Sequence, residues 1–327
     1  MTTAPSTTTM RAFALEEFGV PGSVREIPVP SPGEGEILIR IRAAGVNPFD
    51  MAVIGGYLKD MMEHRFPLVP GADAAGVVEQ VGPGVTQWSV GDEVFGQFNK
   101  PVAGEGTYAD YVVAPARGLI ARKPASIDFA QAAALPTAGL TALESANAVA
   151  PREGDTVLIV GAAGGVGSYA VQIAAHRGAR VIATGRSGRE EYLRSLGAAE
   201  VVDYTTSDIV ETVKSTHPEG IDGLIDVVSR DPATLQRNAE VLRPGGRVAS
   251  AMGAVNPEAL AQRGIEGTNI MAGSATGPRG LEELAAMVTA GELKVPIAHV
   301  FSLEETPQAL EQLQSGVQGK LVLDCRV

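Results

Sequence analysis

A chain of 327 residues is long enough for two domains rather than one. Hydrophobic residues make up 45% and charged residues 20%, a globular balance, and no apolar run approaches the ~20 residues of a membrane span. The net charge of −12 argues against nucleic-acid binding as a main role, and the single Cys325 excludes both an intramolecular disulfide and an all-cysteine metal cluster within one chain.

In chain order, residues 1–10 are rich in Thr, Ser and Pro, with no basic start and no apolar core. They read as a disordered leader rather than a signal peptide, which makes the cytoplasm the default location. Met10 to Leu15 and Val24 to Val29 read as strands around a turn at Gly19, Pro21 and Gly22. Glu36 to Arg42 puts Ile37, Ile39 and Ile41 on one face of a further strand. Short strands and glycine turns continue through 71–81, 92–95 and 108–114, with one short helix near 47–54. The first ~125 residues are therefore an irregular β-rich part.

The pattern changes after Pro124. Residues 128–135 and 141–149 are alanine-rich and helical, and from Thr156 strand alternates with helix. The spacing predicts strands at 156–160, 180–184, 200–203, 221–228 and 247–251. It predicts helices at 168–176, 189–196, 208–215 and 232–242. Alternation with short connections means a parallel sheet covered on both faces. Gly197 and Pro244-Gly-Gly246 read as helix stops. Two amphipathic helices near 280–290 and 306–315 and a strand at 320–323 follow.

The chemistry concentrates at Val157-Leu-Ile-Val-Gly161-Ala-Ala-Gly164-Gly165-Val-Gly167-Ser168. An apolar strand runs into a glycine-dense turn and then a helix, which is the context a dinucleotide-binding turn requires. Ala162 stands in place of the first glycine of G-x-G-x-x-G. Gly164 lets backbone approach a pyrophosphate, and Gly167 lets the helix sit close to the strand. The free N–H groups of the first helical turn face the phosphates.

Further motifs occur in a fixed order: Ala43-Ala-Gly-Val-Asn47-Pro-Phe-Asp50, Pro70-Gly-Ala-Asp73-Ala-Ala-Gly76, Gly139-Leu-Thr141, the glycine turn, and Gly319-Lys320-Leu-Val-Leu. Together they resemble the zinc-independent quinone oxidoreductases, the zeta-crystallin-like branch of the medium-chain dehydrogenase/reductase superfamily. The resemblance implies an α/β protein with two parts. A GroES-like β-rich catalytic domain would comprise 11–127 and 275–327, and a Rossmann doubly wound parallel-sheet domain would comprise 128–274. It also implies a homodimer.

Zinc members of that superfamily carry a cysteine and a His-Glu pair where this chain has Asn47 and Ala72-Asp73. The four histidines, His64, His176, His217 and His299, have no ligand spacing with one another or with Cys325, so no metal is expected.

For the cofactor, the second strand of the βαβ unit ends Gly185-Arg186-Ser187, without the acid that binds a ribose 2′-OH. Gly185 leaves room, and Arg186 can pair a 2′-phosphate through its fork of donors. The resemblance adds Arg189 and Tyr204 beside the same phosphate, so NADPH is expected over NADH. The resemblance also adds Thr141, Gly273 and Ser274 to the cofactor set; position at strand ends adds Val228, Ser229, Met252 and Gly253, the glycine turn adds Ala163, Gly164, Gly165 and Val166, and Lys320 completes the set.

At the reacting end, the resemblance places Asn47 closest to a substrate carbonyl and Asp50 beside it. Tyr57 is a further candidate donor, and Ala52 stands where some relatives carry a tyrosine. The expectation is an NADPH-dependent reductase passing hydride to a quinone or to the β-carbon of an α,β-unsaturated carbonyl. The alternatives are an enoyl-thioester reductase and a non-catalytic NADPH-binding protein.

Overall fold

Alternating isoleucines over Glu36–Val46 make one long strand whose inward face is buried, and a sheet assembles around it. A computed structural model describes residues 8–98, 100 and 102–326. Residues 1–7 of the expected leader lie outside the described residues. Thr9 and Met10, expected in that leader, already belong to the first strand, where they pair with Pro28 and Ile27.

The front of the chain carries β1 (Thr9–Ala14), β2 (Ser23–Pro28), β3 (Glu36–Val46), α1 (Pro48–Ile54), β4 (Glu63–Val69) and β5 (Asp73–Val81). Then come β6 (Glu93–Gln97), β7 (Val102–Glu105), β8 (Tyr111–Pro115), β9 (Leu119–Arg122), α2 (Phe129–Ala134) and α3 (Pro136–Val149). The alternating region gives β10 (Thr156–Val160), α4 (Gly165–His176), β11 (Arg180–Gly185), α5 (Glu190–Ser195), β12 (Glu200–Asp203) and α6 (Ile209–Thr216). It continues through β13 (Ile221–Asp226), α7 (Pro232–Asn238), β14 (Leu242–Ser250), α8 (Pro257–Ala261) and β15 (Glu266–Asn269). The tail holds α9 (Pro278–Thr289), β16 (Ile297–Ser302), α10 (Thr306–Ser315) and β17 (Lys320–Asp324).

Two compact units result. Unit one comprises Met1–Thr137, Leu281–Ala285 and Ile297–Val327; unit two comprises Ala138–Gly280 and Ala286–Pro296. Residues 128–137, expected with the Rossmann part, thus belong to unit one. Residues 275–280 and 286–296, expected with the GroES-like part, belong to unit two.

In unit one, a sheet runs in the order β16-β17-β3-β5-β6-β9, with β8 pairing β3. Ile37, Ile39, Ile41, Val78, Phe98 and Tyr108 lie in its core with Leu321 and Leu323 of the late strand β17. The sheet therefore needs both distant parts of the chain. Its antiparallel β17–β3 register sets Leu321 opposite Val46 and so brings Lys320 to the end of β3.

In unit two, six strands run in the order β12-β11-β10-β13-β14-β15, all parallel. This is the doubly wound order, with its switch point between β10 and β13, where ligands bind at the carboxyl ends of the strands. Leu158, Val160, Ile182, Leu224 and Val248 form the core of the sheet's one face.

Local differences from the sequence reading have simple causes. α4 begins at Gly165, not 168, because the glycines that make the turn also form the first helical turn. Pro244-Gly-Gly246 lies inside β14 and stops no helix; the pairing with β13 is irregular between Ile221 and Gly223, and the strand continues. β16 has no apolar alternation, and its burial is confined to its end at Phe301.

Candidate active site

Unit one gathers its buried polar groups at the end of β3. Asn47 leaves the strand in extended geometry and caps α1, whose first residue is Pro48, suited to that position by its fixed φ and missing N–H. Asp50, at the third helical position, turns back and accepts the Asn47 backbone N–H on Oδ2 at 2.8 Å. The same oxygen accepts the Tyr108 hydroxyl at 2.8 Å.

The Asn47 side chain is 2% exposed and engaged at both ends. Its Nδ2 donates to Asp73 Oδ2 at 3.0 Å, and its Oδ1 accepts from Lys320 Nζ at 2.5 Å. Lys320 also donates to the Val46 carbonyl at 2.9 Å. Asp73 accepts the backbone N–H and the hydroxyl of Thr137 at 2.9 and 2.7 Å. An amide has two N–H bonds, so Asn47 keeps one donor beyond the bond to Asp73.

The electrostatics follow from burial. Burial raises the Asp50 carboxyl to about 7, against the pull of the Tyr108 hydroxyl and the Asn47 N–H. Burial also raises Asp73, opposed chiefly by the Lys320 ammonium and by Thr137. Lys320 is pushed below its ordinary value by burial and held up by Asp73 and Asp50.

Two residues named from the sequence stand apart from their expected company here. Tyr57 is 81% exposed on the turn after α1 and takes no part in this network. The glycines at 55 and 56 carry the chain outward, with Gly56 at φ +70°. Lys320, expected among the cofactor residues, is buried in unit one and serves Asn47 and Val46. Tyr108 and Thr137 were not foreseen, because their partners lie 58 and 64 residues away in sequence.

In unit two the turn after β10 is built by steric demand. Gly161 has φ +86°, and a Cβ there would meet Val228 at 2.7 Å. A Cβ on Gly167 would lie 2.2 Å from the Gly161 carbonyl oxygen, so α4 sits as close to the strand as glycine allows. A Cβ on Gly164 would meet only that same oxygen, at 3.6 Å, so this side of the turn is open. The first N–H groups of α4, from Gly165, Val166 and Gly167, have no partner within the helix. Ala163 lies on the same turn, and the Thr184 hydroxyl accepts the Gly161 N–H at 3.0 Å.

At the tip of β11, Arg186 Nε donates to the Tyr204 hydroxyl at 2.9 Å. Ser187 donates to Asp203, whose carboxyl is held below the usual carboxylate range by Ser187 and then by Thr205. Arg189 caps α5 and is half-buried. Gly185 does not leave free room: the Leu193 side chain occupies the space, 2.7 Å from where a Cβ would stand.

Asp226 fixes the loop after β13. Its Oδ1 accepts the N–H groups of Val228 and Ser229 at 3.0 and 2.8 Å, and its Oδ2 accepts the Ser229 hydroxyl and Asn238 Nδ2. Ser250 holds Met252 and Ala254 around Gly253, which has φ +75°. Glu144 of α3 accepts the N–H groups of Ala275 and Thr276, which fixes the turn through Gly273 and Ser274. Thr141, one turn earlier on α3, is buried. A cavity of about 760 Å³ lies among Gly161, Thr184, Tyr204, Asp208, Val228 and Arg237. Asp226 and Glu144 escaped the sequence reading, although Asp226 ends an apolar strand where an inward carboxyl needs donors.

The donors present do not fit a zinc ion. Among the described residues no group of three His, Cys, Asp or Glu side chains could hold one, and an ammonium points into the unit-one cluster. No helix is long and apolar enough to cross a membrane.

Known proteins share the family and the fold. Residues 33–125 match the family model "Alcohol dehydrogenase GroES-like domain" and residues 196–323 match "Zinc-binding dehydrogenase". A quinone oxidoreductase of Sus scrofa is 32% identical, covering 96% of this chain and 97% of the relative. A 2-methylene-furan-3-one reductase of Solanum lycopersicum is 32% identical over 96% of this chain and 79% of its own length. The solved quinone oxidoreductase from Coxiella burnetii superposes with a TM-score of 0.87 at 29% identity, covering 98% of this chain and 100% of that one.

Proposed function

Since the chain belongs to the medium-chain dehydrogenase/reductase superfamily, in its quinone oxidoreductase group, we propose that it is an NADPH-dependent reductase of quinones or α,β-unsaturated carbonyls. The observation that carries the cofactor half is the Arg186–Tyr204 pair at the tip of β11. A guanidinium and a phenol hydroxyl offer donors to a 2′-phosphate, and the strand tip itself lacks the acid that a free ribose 2′-OH would need. The open side of the glycine turn and the unpaired N–H groups of α4 suit a pyrophosphate.

The bound nicotinamide would supply the hydride. The chain's own residues would do the rest. Asn47, fixed between Asp73 and Lys320, keeps one N–H for the oxygen that gains charge as hydride arrives. Neither end of its amide titrates, so that donor stays available across pH. The Asp226 and Glu144 clamps hold the loops of Ser229 and Ser274, so the ligand does not have to order them. The reading includes a cytoplasmic homodimer.

The test is NADPH oxidation with a quinone and an enone in parallel, with and without chelator, and with NADH as the comparison. Chelator-insensitive turnover that favours NADPH supports the reading. Absence of turnover despite tight NADPH binding overturns the enzymatic half, and equal kcat/KM with the two cofactors overturns the phosphate half.

A further inference from the structure

The Asp50 carboxyl is unevenly used. Oδ2 accepts two hydrogen bonds, from the Asn47 N–H and the Tyr108 hydroxyl, while Oδ1 has no partner although the residue is 1% exposed. A carboxyl oxygen left bare in an apolar site costs free energy unless it carries a proton or meets water.

Burial favours the proton, and a water-sized space lies beside the residue. Asp50 lines a cavity of about 30 Å³ within unit one, enough for a water molecule. The walls are largely apolar, with Phe49, Val53, Met62 and Phe98, and Lys100 and Glu105 line it as well. Those two form an ion pair at 2.6 Å, and Glu105 is half exposed, so the cavity reaches from a solvated ion pair to the buried carboxyl.

We propose that Asp50 is the proton-holding group of the reductase, refilled from solvent by water in this cavity at its free Oδ1. The proposal rests on the reductase reading above and adds the source of the proton to it. Reduction of an enone consumes one hydride and one proton. The hydride forms the new C–H bond at the β-carbon and leaves an enolate. The O–H bond of Asp50 then breaks, its proton passes over cavity water to the enolate, and the carboxylate regains a proton from bulk water. Charge and atoms balance with the cofactor as the only reductant.

The groups facing Asp50 set when it can do this. Tyr108 from the β7–β8 connection donates to it, Asp73 of β5 opposes its ionisation, and Lys320 of β17 favours it. The balance with burial puts the carboxyl near 7, where loss and gain of a proton are both easy.

The experiment has two arms. In the first, infrared spectra of cofactor-free protein are recorded against pH. A protonated-carboxyl C=O band that titrates near pH 7 in the wild type and is missing in Asp50→Asn is expected. In the second, kcat with an enone is followed against pH. The wild type should lose activity as pH rises through about 7. Asp50→Asn should lose that limb and turn over on the order of a hundredfold more slowly. Tyr108→Phe, which removes a bond to the ionised form, should move the limb to higher pH. An unchanged limb in Asp50→Asn, or no such infrared band in the wild type, overturns the proposal. A wild type that turns over NADPH with neither a quinone nor an enone overturns the reductase reading instead, and the infrared arm still decides whether Asp50 holds a proton.

Discussion

Lys320 donates from Nζ to Asn47 Oδ1 at 2.5 Å, although the two residues stand 273 positions apart. The contact fixes an amide through a buried ammonium, and the ammonium is balanced by Asp73 and Asp50. Lys320→Met should therefore cost about 3–5 kcal/mol of unfolding free energy, the range for breaking a buried charged set by removing one partner. Denaturant unfolding measures it. Without Lys320, the Asp73 carboxyl rises further above its unfolded value. A raised carboxyl contributes stability at low pH and loses it as pH climbs through the folded value. The variant's deficit should accordingly widen as pH increases, and a pH-independent deficit would contradict this account.

The same sign governs Asp50. Its carboxyl is near 7 in the folded protein, well above an unfolded aspartate. Folding stability should fall with a slope approaching about 1.4 kcal/mol per pH unit from this group as pH rises between the two values. Asp50→Asn should flatten that part of the stability curve relative to wild type. Parallel curves for the two proteins would mean that Asp50 titrates alike in the folded and unfolded chain.

Arg186 and Tyr204 meet at 2.9 Å on the tip of β11 and the residue after β12. Arg186→Ala should lower kcat/KM for NADPH by about tenfold or more, the effect of a lost hydrogen bond to a charged group. The value for NADH should stay within twofold of wild type (roughly the scatter of an uninvolved surface change). Equal losses with both cofactors would show that Arg186 shapes the loop and does not read the phosphate.

Asp203 is the opposing charge at that tip. It accepts from Ser187 and Thr205 and stays ionised. Asp203→Asn should raise the NADPH-to-NADH ratio of kcat/KM by about two- to fivefold, as for an exposed charge pair, and the gain should shrink in high salt. A fall in the ratio would mean that Asp203 matters as the anchor of Ser187.

Gly167→Ala places a Cβ 2.2 Å from the Gly161 oxygen and 2.6 Å from the Ala162 Cα, both backbone atoms. Such overpacking costs about 1–3 kcal/mol, and the turn must open to relieve it. Thermal unfolding should show the loss, and calorimetry should show weaker cofactor binding. A variant with wild-type affinity would mean that the turn has slack the geometry does not reveal.

The sheet of unit two was legible because local signals agree there. Buried β-branched strands, glycine stops and short connections repeat in a period that only a parallel sheet satisfies, and β10 and β12 fall where the pattern puts them. β15 (Glu266–Asn269) and β16 carry no such pattern, since their side chains are mostly exposed and pairing alone makes them strands. The motifs name members of the buried unit-one cluster and not its wiring. Asn47 and Asp50 stand out as a helix start, but nothing local says that Asn47 meets Asp73 and Lys320, or that Asp50 meets Tyr108. Lys320 is legible as part of the Gly319-Lys320-Leu-Val-Leu motif, and nothing in that motif names its partners. The antiparallel register of β17 on β3 sets it beside Asn47 and the Val46 carbonyl.

That register also has a consequence in time. During synthesis the whole of β10 to β15 leaves the ribosome before Lys320 is made. At about 5–20 residues per second, the nucleotide-binding sheet has several seconds in which to close around its own core. The sheet of unit one must wait with its middle strand β3 unpaired on the side that β17 will fill. The Asn47 amide thus meets Lys320 only after the whole sheet of unit two has been made.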